Sequence, residues 1–503
     1  MSSEQSASEA NTLRMPGFSR AQFILEYTRA MDEGRAALFL GAGASIPAGF
    51  VSWTDLMRDI AAELDLDVDR SDLLTLAQYH VNHRGGRHAI NELIVEEFDR
   101  RAEHTPLHDH MVRLPIDELW TTNYDRIIED AYEAVGRRPD VKTTVATLAS
   151  HKRQRDVTVY KMHGDARAPD EAVLTRDDYE RYHVEPRGQA FMTALQASLL
   201  NRTFLFIGFS FSDPNIGHVL ARMRLLIGQH QGEHFAIFRR PVGHEGIDDP
   251  VRAADAKFAW RSTQLQIDDL KRFGIHVVLV DEYADIAPLV SSLVKSSGRN
   301  YVFVSGAAHD FAPFGEERLA MFSQALGAKL AETNKCLISG LGLGIGQDVV
   351  QGFFQAGFDG RARDVGDRAI LRPFPQRPPG GGVGLREFWT AYRTDMLQRA
   401  GFVIYVAGNK RDRATGETVP SNGMFEEFDL AHEVGAVPIP VGATGHVAAE
   451  LWRRVTENAR EFYPEPERIT AELTALNAPE TSDTGHLDAI LRIMTVVSRS
   501  YNM

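Results

Sequence analysis

An amide, a carboxylate and an imidazole that follow two apolar stretches are the side chains best suited to chemistry. Asn123 and Asp125 follow Leu119–Thr122, and His163 follows Val157–Met162. Such stretches are typical of buried strands, and open α/β sheets bind ligands at the carboxyl ends of their strands. A neutral amide can hold a water or a hydroxyl, a carboxylate can stabilise positive charge or orient the amide, and histidine can accept a proton near neutral pH.

Each of these residues, taken singly, also has a purely structural interpretation. Asn123 or Asp125 could simply cap the helix predicted from Asp125 onward, and a lone histidine is more often structural than catalytic. The three residues therefore indicate a site only in combination with other stretches of the chain.

A glycine turn lies upstream of both stretches, in AALFLGAGAS. Ala36–Leu40 predicts a buried strand, Gly41, Ala42 and Gly43 form the turn with Ser45 just beyond, and a helix is predicted to follow. In such a unit the glycines let the backbone approach a pyrophosphate. The third glycine of the dinucleotide fingerprint is missing, so an ordinary tight turn is the alternative.

The elements that must position these residues alternate between strands and helices. A third strand, in TFLFIGFSFSDPNI, ends at Gly208, Ser210 and Asp213, and further strands are predicted at His234–Arg240 and Ile275–Glu282. This alternation predicts an α/β fold with a doubly wound, Rossmann-like parallel sheet. The pattern of apolar residues over residues 52–110 predicts a helical insert.

Three histidines of the predicted insert could suggest a metal site. They are His80, His83 and His88, and no cysteine or carboxylate pattern completes a ligand set. We expect them to lie on a solvated helix surface, and we expect no metal.

A second alternating pattern occupies the remainder of the chain, and it predicts a second Rossmann-like doubly wound domain. The predicted strands are Tyr301–Ser305, Cys336–Ser339, Ala369–Leu371, Phe402–Val406 and Val437–Val441. The predicted organisation is a disordered arm at 1–17, a first domain at 18–285, a linker at 286–299 and a second domain at 300–503.

Composition narrows the class of protein. The 503 residues carry 55 Lys+Arg against 69 Asp+Glu, a net charge of −14, which argues against non-specific binding to nucleic acid or anionic membrane. No apolar run reaches the roughly 18 residues that a membrane span needs, and the N-terminus is polar, so we expect a cytoplasmic protein. The single cysteine, Cys336, excludes a four-cysteine zinc site.

The order GAGAS, TTNYD, KMHGD and IGFSFSD resembles that of the sirtuins, over about residues 19 to 285. The resemblance implies an NAD site in which Asn123 and His163 are catalytic, with Asp125 in support. It implies that Gly41, Ala42, Gly43 and Ser45 hold the pyrophosphate, and that Gly208, Ser210 and Asp213 hold the adenosine half.

Two departures from the sirtuin pattern put the acyl-peptide site in doubt. Sirtuin deacylases generally carry four zinc-binding cysteines, and the usual Pro-Asp-Phe-Arg stretch is Pro47-Ala48-Gly49-Phe50 here. An NAD-dependent deacylase therefore remains only an alternative. A non-enzymatic nucleotide switch is another, although pure binding needs neither Asn123 nor His163.

The second half resembles SLOG domains in VFVSGA, ISGLGLGIG, LRPFP, AGNK and SNGMFEE. A sirtuin-like domain followed by SLOG is the layout of the Thoeris antiphage effectors. That resemblance implies a homotetrameric NAD glycohydrolase that depletes NAD and causes abortive infection. Its signal is a cyclic ADP-ribose isomer made by a TIR-domain partner. The residues expected to bind the isomer are Gly306, Gly340, Gly342, Gly344, Arg372, Arg393, Lys410 and Glu426.

Overall fold

The computed structural model describes residues 15, 17–228, 232–243, 247–375, 377, 384–412 and 414–500. The chain divides into two compact units, up to Ser291 and from Ser292 onward. The division falls inside a helix, Ile286–Gly298, in the segment that the sequence predicted as a linker. Most of the predicted disordered arm lies outside the described residues, but Met15 is buried and its carbonyl oxygen accepts NH1 of Arg240 at 2.9 Å.

The first unit contains seven strands and the helices between them. The strands are β1 (Ala36–Leu40), β2 (Glu118–Thr121), β3 (Pro139–Lys142), β4 (Val157–Lys161), β5 (Thr203–Ile207), β6 (His234–Arg239) and β7 (Ile275–Val280). The helices are α1 (Arg20–Asp32), α2 (Trp53–Glu63), α3 (Leu73–Arg84), α4 (His88–Phe98), α5 (Pro106–Met111), α6 (Ile127–Ala134), α7 (Val145–Ala149), α8 (Arg176–Tyr182), α9 (Pro186–Asn201), α10 (Pro214–Ile227), α11 (Pro250–Lys271) and α12 (Ile286–Gly298).

The seven strands form one parallel sheet in the order β3-β4-β2-β1-β5-β6-β7, which confirms the predicted fold class for this half. Strand β1 lies at the centre, and all five of its residues are buried because both faces of the sheet are covered. Leu40 pairs with Thr121 on one side and with Ile207 on the other. The turns that follow β1, β2 and β5 therefore leave the sheet at one edge.

The sequence missed edge strand β3. It begins with Pro139 and contains Asp140 and Lys142, a composition that does not resemble a buried strand. A proline is tolerated at the start of an edge strand, and the Lys142 ammonium is neutralised by Asp140, whose Oδ2 lies 2.8 Å from Nζ.

Helices α2 to α5 form the predicted helical insert. The expectation that its histidines lie on a solvated surface is wrong for His80, which is buried with its Nε2 atom 3.3 Å from Oε2 of Glu63. Within the described residues, no group of three His, Cys, Asp or Glu side chains could hold a metal ion.

The second unit contains a five-stranded parallel sheet and a separate hairpin. The strands are β8 (Tyr301–Ala307), β9 (Cys336–Ser339), β10 (Ala369–Leu371), β11 (Phe402–Ala407), β12 (Asn409–Arg411), β13 (Thr418–Pro420) and β14 (Val437–Val441). The helices are α13 (Glu316–Glu332), α14 (Gly346–Phe358), α15 (Leu385–Leu397), α16 (Asn422–Val434), α17 (His446–Glu457), α18 (Ala459–Phe462), α19 (Thr470–Ala475) and α20 (Asp483–Ser500). The sheet order is β10-β9-β8-β11-β14, with β12 and β13 paired apart from it, and this confirms the second α/β prediction.

No helix among the described residues is both long and apolar enough to cross a bilayer.

Helices α13 and α14 approach each other through two glycines. A Cβ atom on Gly327 would lie 1.9 Å from the carbonyl oxygen of Val349, and one on Gly352 would lie 1.8 Å from that of Gln324. Neither helix can carry a side chain at these positions without separating.

We therefore expect Gly327→Ala to lower the free energy of unfolding by about 1–3 kcal/mol through overpacking. The matched control is Gly217→Ala in α10, where nothing lies within 4 Å of the added Cβ. That change should raise the free energy of unfolding by about 1 kcal/mol through helix propensity. Urea unfolding of the two variants checks both signs, and a Gly327→Ala protein as stable as wild type would contradict the packing argument.

Candidate active site

The turns after β1, β2, β4 and β5 surround a small cavity of about 100 Å³. The three residues predicted to be catalytic, Asn123, Asp125 and His163, all line this cavity. The other lining residues are Ala42, Ser45, Phe50, Val51, Trp53, Leu56, Phe98, Thr122, Tyr124, Leu174, Tyr179 and Asp213. The helical insert thus supplies an apolar wall, and the strand ends supply the polar groups.

Asn123 is held by the glycine turn. It is 7% exposed, and its Nδ2 atom donates to the carbonyl oxygen of Gly41 and to Oγ of Ser45, at 3.1 Å each. Its backbone amide donates to Oγ1 of Thr121. Both contacts of the side chain use its nitrogen, so the amide group is fixed in one orientation.

Asp125 lines the cavity next to Ser45. Burial raises the pKa of Asp125, while the Lys161 ammonium and a hydrogen bond with Ser45 act in the opposite direction. Its Oδ1 atom also accepts the backbone amide of Ile127 at the start of α6, so the structural interpretation, helix capping, holds as well. Ser45, which we assigned to the pyrophosphate, instead connects Asp125 to Asn123.

His163 is 3% exposed and is enclosed by polar and aromatic side chains. Its Nε2 atom lies 3.2 Å from Nδ2 of Asn215, and its Nδ1 atom lies 3.6 Å from Oδ2 of Asp213. Burial lowers the pKa of His163, and the Asp213 carboxylate only partly opposes this. The imidazole is therefore neutral at pH 7 and can accept a proton.

Asp213 was assigned to the adenosine half, but it lines the cavity of His163. Its Oδ1 atom caps α10 by accepting the amides of Asn215 and Ile216. Its Oδ2 atom accepts the hydroxyl of Tyr179 at 2.9 Å. The capping geometry turns the second carboxylate oxygen toward the imidazole.

The sequence missed Tyr179 and Asn215. In the part of the chain that the structure describes, Oδ1 of Asn215 has no hydrogen-bond partner although it is buried. The available signal was the Asp-Pro-Asn order at a helix start, which places Asn215 two residues after the Asp213 cap.

A second cavity, of about 770 Å³, lies beyond the glycine turn. Its volume is in the range of small-molecule sites. It is lined by Gly43, Ile46, Pro47, Thr105, Pro106, Leu107, Gly208, Phe209, Ser210, Ile237, Phe238, Arg239, Thr263, Gln266, Tyr283, Ala284, Ile286 and Ala287. Three of the residues assigned to the dinucleotide, Gly43, Gly208 and Ser210, therefore meet here.

The glycine turn uses most of its amides within the protein. The amides of Gly41, Gly43, Ala44 and Ser45 donate to the carbonyl oxygens of Ile207, Gly208, Gly41 and Ala42 respectively. The expectation that a pyrophosphate rests on free amides of Gly43 and Ser45 therefore has no support in this geometry. The glycines instead permit a close backbone contact: a Cβ on Gly41 would lie 2.4 Å from the carbonyl oxygen of Gly208.

In the second unit the candidate glycines gather around the end of β8. A Cβ on Gly342 would lie 1.9 Å from the carbonyl oxygen of Gly306, and one on Gly344 would lie 2.5 Å from that of Ala308. A Cβ on Gly340 would meet the ring of Phe374 at 2.6 Å. The loop after β9 thus packs directly on the loop after β8.

Some of the candidate charged residues of the second unit already take part in ion pairs with carboxylates or with each other. Arg393 is buried between two carboxylates, with NH1 2.9 Å from Oε2 of Glu426 and Nε 3.2 Å from Oε1 of Glu427. Oγ of Ser305 donates to Glu427 at 2.6 Å, and burial raises the pKa of that carboxyl. Arg393 and Glu426 are therefore partners of each other.

The other two candidate cations differ from Arg393 in their surroundings. Arg372 pairs with Asp395, 2.6 Å away, and Lys410 is exposed on the β12–β13 hairpin.

Two family models match the chain. A SIR2-like domain matches residues 117–262, and the Sir2- and TIR-associating SLOG family matches residues 285–497. The chain is 37% identical over 479 residues to the NAD(+) hydrolase ThsA of Bacillus cereus (strain MSX-D12), covering 95% of this chain and 98% of that relative. It is 38% identical over 443 residues to the ThsA of Acinetobacter baumannii (strain 532279), covering 87% of this chain and 90% of that relative. It is also 26% identical over 236 residues to the defense-associated sirtuin 2 of Bacillus subtilis, covering 44% of this chain and 23% of that relative.

The lowered pKa of His163 predicts a pH-dependent stability. Below about pH 6.5 this histidine binds a proton in the unfolded chain, whereas the folded protein keeps it neutral. Protonation therefore favours the unfolded chain, and this residue makes the protein less stable as the pH falls. Between pH 7 and 5, His163→Gln should therefore lose less unfolding free energy than wild type, by roughly 1 kcal/mol. His108 and His234, whose pKa values burial lowers to about 4, contribute equally in both proteins.

Urea unfolding at the two pH values measures the difference. The exposed His83→Gln serves as the control and should follow wild type. Equal acid sensitivity of His163→Gln and wild type would show that the folded imidazole titrates normally.

Proposed function

The chain belongs to the ThsA family of NAD(+) hydrolases, and we propose that its first unit cleaves NAD⁺ to nicotinamide and ADP-ribose as the effector of an antiphage defence system. The observation that carries the proposal is the convergence of Asn123 and His163 on one buried cavity next to the glycine turn. Sustained cleavage depletes the NAD⁺ of the infected cell, and infection then aborts.

The two cavities suit the two ends of the substrate. The small cavity, with Asn123 and His163, would take the nicotinamide riboside end, and the larger cavity, with Gly208 and Ser210, would take the adenosine end. The pyrophosphate would cross the turn between Ala42, which lines the small cavity, and Gly43, which lines the larger one. Two cavities lined by adjacent residues of one turn match an elongated dinucleotide better than a compact ligand.

Cleavage needs little covalent help from the protein. Nicotinamide carries a positive ring nitrogen and leaves with the electron pair of the glycosidic bond, so the ribose passes through an oxocarbenium-like state. Asn123 can hold the ribose or the attacking water through its amide oxygen. His163, neutral at pH 7, can take the proton that the water loses as its oxygen bonds to the anomeric carbon.

Asn123→Ala and His163→Ala should each reduce nicotinamide release by at least about 100-fold, because each removes a group that contacts the reacting atoms. The assay measures free nicotinamide from NAD⁺ in the absence of any acetylated peptide, and circular dichroism verifies folding. Near-normal release by either folded variant would contradict its assignment. Release that requires an acetyl-lysine peptide would instead favour a deacylase.

We propose that the second unit senses the signal. A cyclic ADP-ribose isomer, produced by a TIR-domain partner, would bind where the loops after β8 and β9 meet Arg393 and Glu426. Support comes from the Sir2- and TIR-associating SLOG match and from the cluster of glycines at strand ends, where nucleotides bind in open α/β sheets. The exposed Lys410 offers a charge to its phosphates. We further propose that the protein works in the cytoplasm as a homotetramer.

Nicotinamide release should rise when cyclic ADP-ribose or one of its linkage isomers is added to the purified protein. Lys410→Ala should then raise the isomer concentration that gives half-maximal activity by about tenfold, the effect of losing a charge-assisted contact. The control is Arg363→Ala. Arg363 is an exposed cation that precedes β10, so it lies toward the amino ends of the strands, whereas the proposed site is at their carboxyl ends. An unchanged half-maximal concentration for Lys410→Ala, or an equal change in both variants, would remove Lys410 from the binding site.

A further inference from the structure

We propose that Lys161 is a positioning residue of the active site, whose buried ammonium group fixes together the loop that carries Asn123 and the loop that carries His163. This inference rests on the proposed NAD⁺ hydrolysis. Lys161 is the last residue of β4 and is 1% exposed, and no step of the chemistry described above uses it.

The first set of contacts reaches the Asn123 loop. Nζ of Lys161 donates to the carbonyl oxygen of Tyr124 at 3.1 Å and to that of Asp125 at 2.6 Å. These are the two residues directly after Asn123. Because the contacts are with the backbone, they fix the path of the chain and hence the position of the Asn123 amide.

The second set of contacts reaches the His163 loop. Lys161 precedes His163 by two residues and forms a short ion pair with Asp165, which follows it by two. The loop is thereby closed on itself with His163 at its middle. The amide of Ala166 also donates to the carbonyl oxygen of Tyr124, so the two loops touch at the point that Lys161 holds.

The charges of the cluster keep the lysine protonated. Oε1 of Glu129, a fully buried residue of α6, lies 3.2 Å from Nζ. Burial alone would lower the pKa of Lys161, but the carboxylates of Glu129 and Asp165 outweigh it and the pKa is raised. An ammonium has three hydrogens to donate, and four acceptors converge on this one.

Loss of the ammonium should therefore affect rate more than substrate binding. Neither cavity is lined by Lys161, so the surfaces that would contact NAD⁺ remain. The two catalytic side chains would no longer be held at a fixed separation. A displacement of about 1 Å at a reacting centre can cost on the order of 100-fold in rate.

The test compares a charge-balanced variant with wild type. Lys161→Met alone leaves two buried carboxylates unpaired and could unfold the protein. The double variant Lys161→Met with Glu129→Gln removes one positive and one negative charge, so the net charge of the cluster is unchanged. Only Asp165 loses its ion pair, and it still accepts the backbone amide of Arg167. We expect the double variant to fold, with kcat for NAD⁺ lowered by about 100-fold and KM changed by less than about threefold.

The chain offers a matched control in the same sheet. Lys142 is also fully buried, pairs with Asp140, and donates to the carbonyl oxygen of Ser150, but it touches neither catalytic loop. Lys142→Met with Asp140→Asn should leave kcat within about twofold of wild type, because it removes a buried ion pair and no contact to the loops.

The measurement is nicotinamide release by the full-length proteins, with cyclic ADP-ribose and its linkage isomers added to all samples. A folded Lys161→Met, Glu129→Gln protein with wild-type kcat would overturn the inference. An equal loss of kcat in the Lys142 control would also overturn it, by showing a general effect of sheet stability. Absence of NAD⁺ cleavage by wild type would instead refute the proposed function on which the inference rests.

Discussion

The close contact between two backbone turns is the constraint on which the active site depends. The turn after central strand β1 lies against the turn after β5, and a Cβ on Gly208 would come within 2.4 Å of the amide nitrogen of Ala44. Gly208 also has a φ of +65°, which side chains other than glycine rarely adopt. Residues of the first turn line both cavities: Ala42 and Ser45 line the small cavity with Asn123, and Gly43 lines the large cavity with Ser210.

Much of this arrangement could be predicted from the sequence, because it follows from where strands end. Apolar runs mark the buried strands, and parallel strands bring their carboxyl ends to one edge. Together with the sirtuin-like order of the motifs, this led to the expectation that Asn123 and His163 share a site. The partner of each side chain could not be predicted in the same way. Ser45 was assigned to phosphate but connects Asn123 to Asp125, and Asp213 was assigned to adenosine but faces His163. Such contacts depend on which turns become neighbours, and the local pattern does not record that.

Buried charges explain the other differences between prediction and structure. Charged residues are ordinarily expected in solvent, yet Lys142, Lys161 and Arg393 are buried and each is paired with a carboxylate. The prediction treated Arg393 as a free cation for phosphate. In the structure its charge is already balanced by Glu426 and Glu427, so a phosphate at this position must compete with them. A single sequence offers no sign of this pairing, since the partners are more than thirty positions apart.

The active-site cavity combines two neutral groups with two carboxyl groups. Asn123 is an amide and His163 is neutral at pH 7, and Asp125 and Asp213 line the same cavity. Both carboxyl groups are already engaged within the protein: Asp213 caps α10 and accepts the Tyr179 hydroxyl, and Asp125 accepts the amide of Ile127 and bonds with Ser45. Carboxyl oxygens held in this way favour a developing positive charge on the ribose, but they are not free to attack it as a carboxylate nucleophile would. The arrangement therefore suits transfer of the ribose to water rather than to a protein side chain.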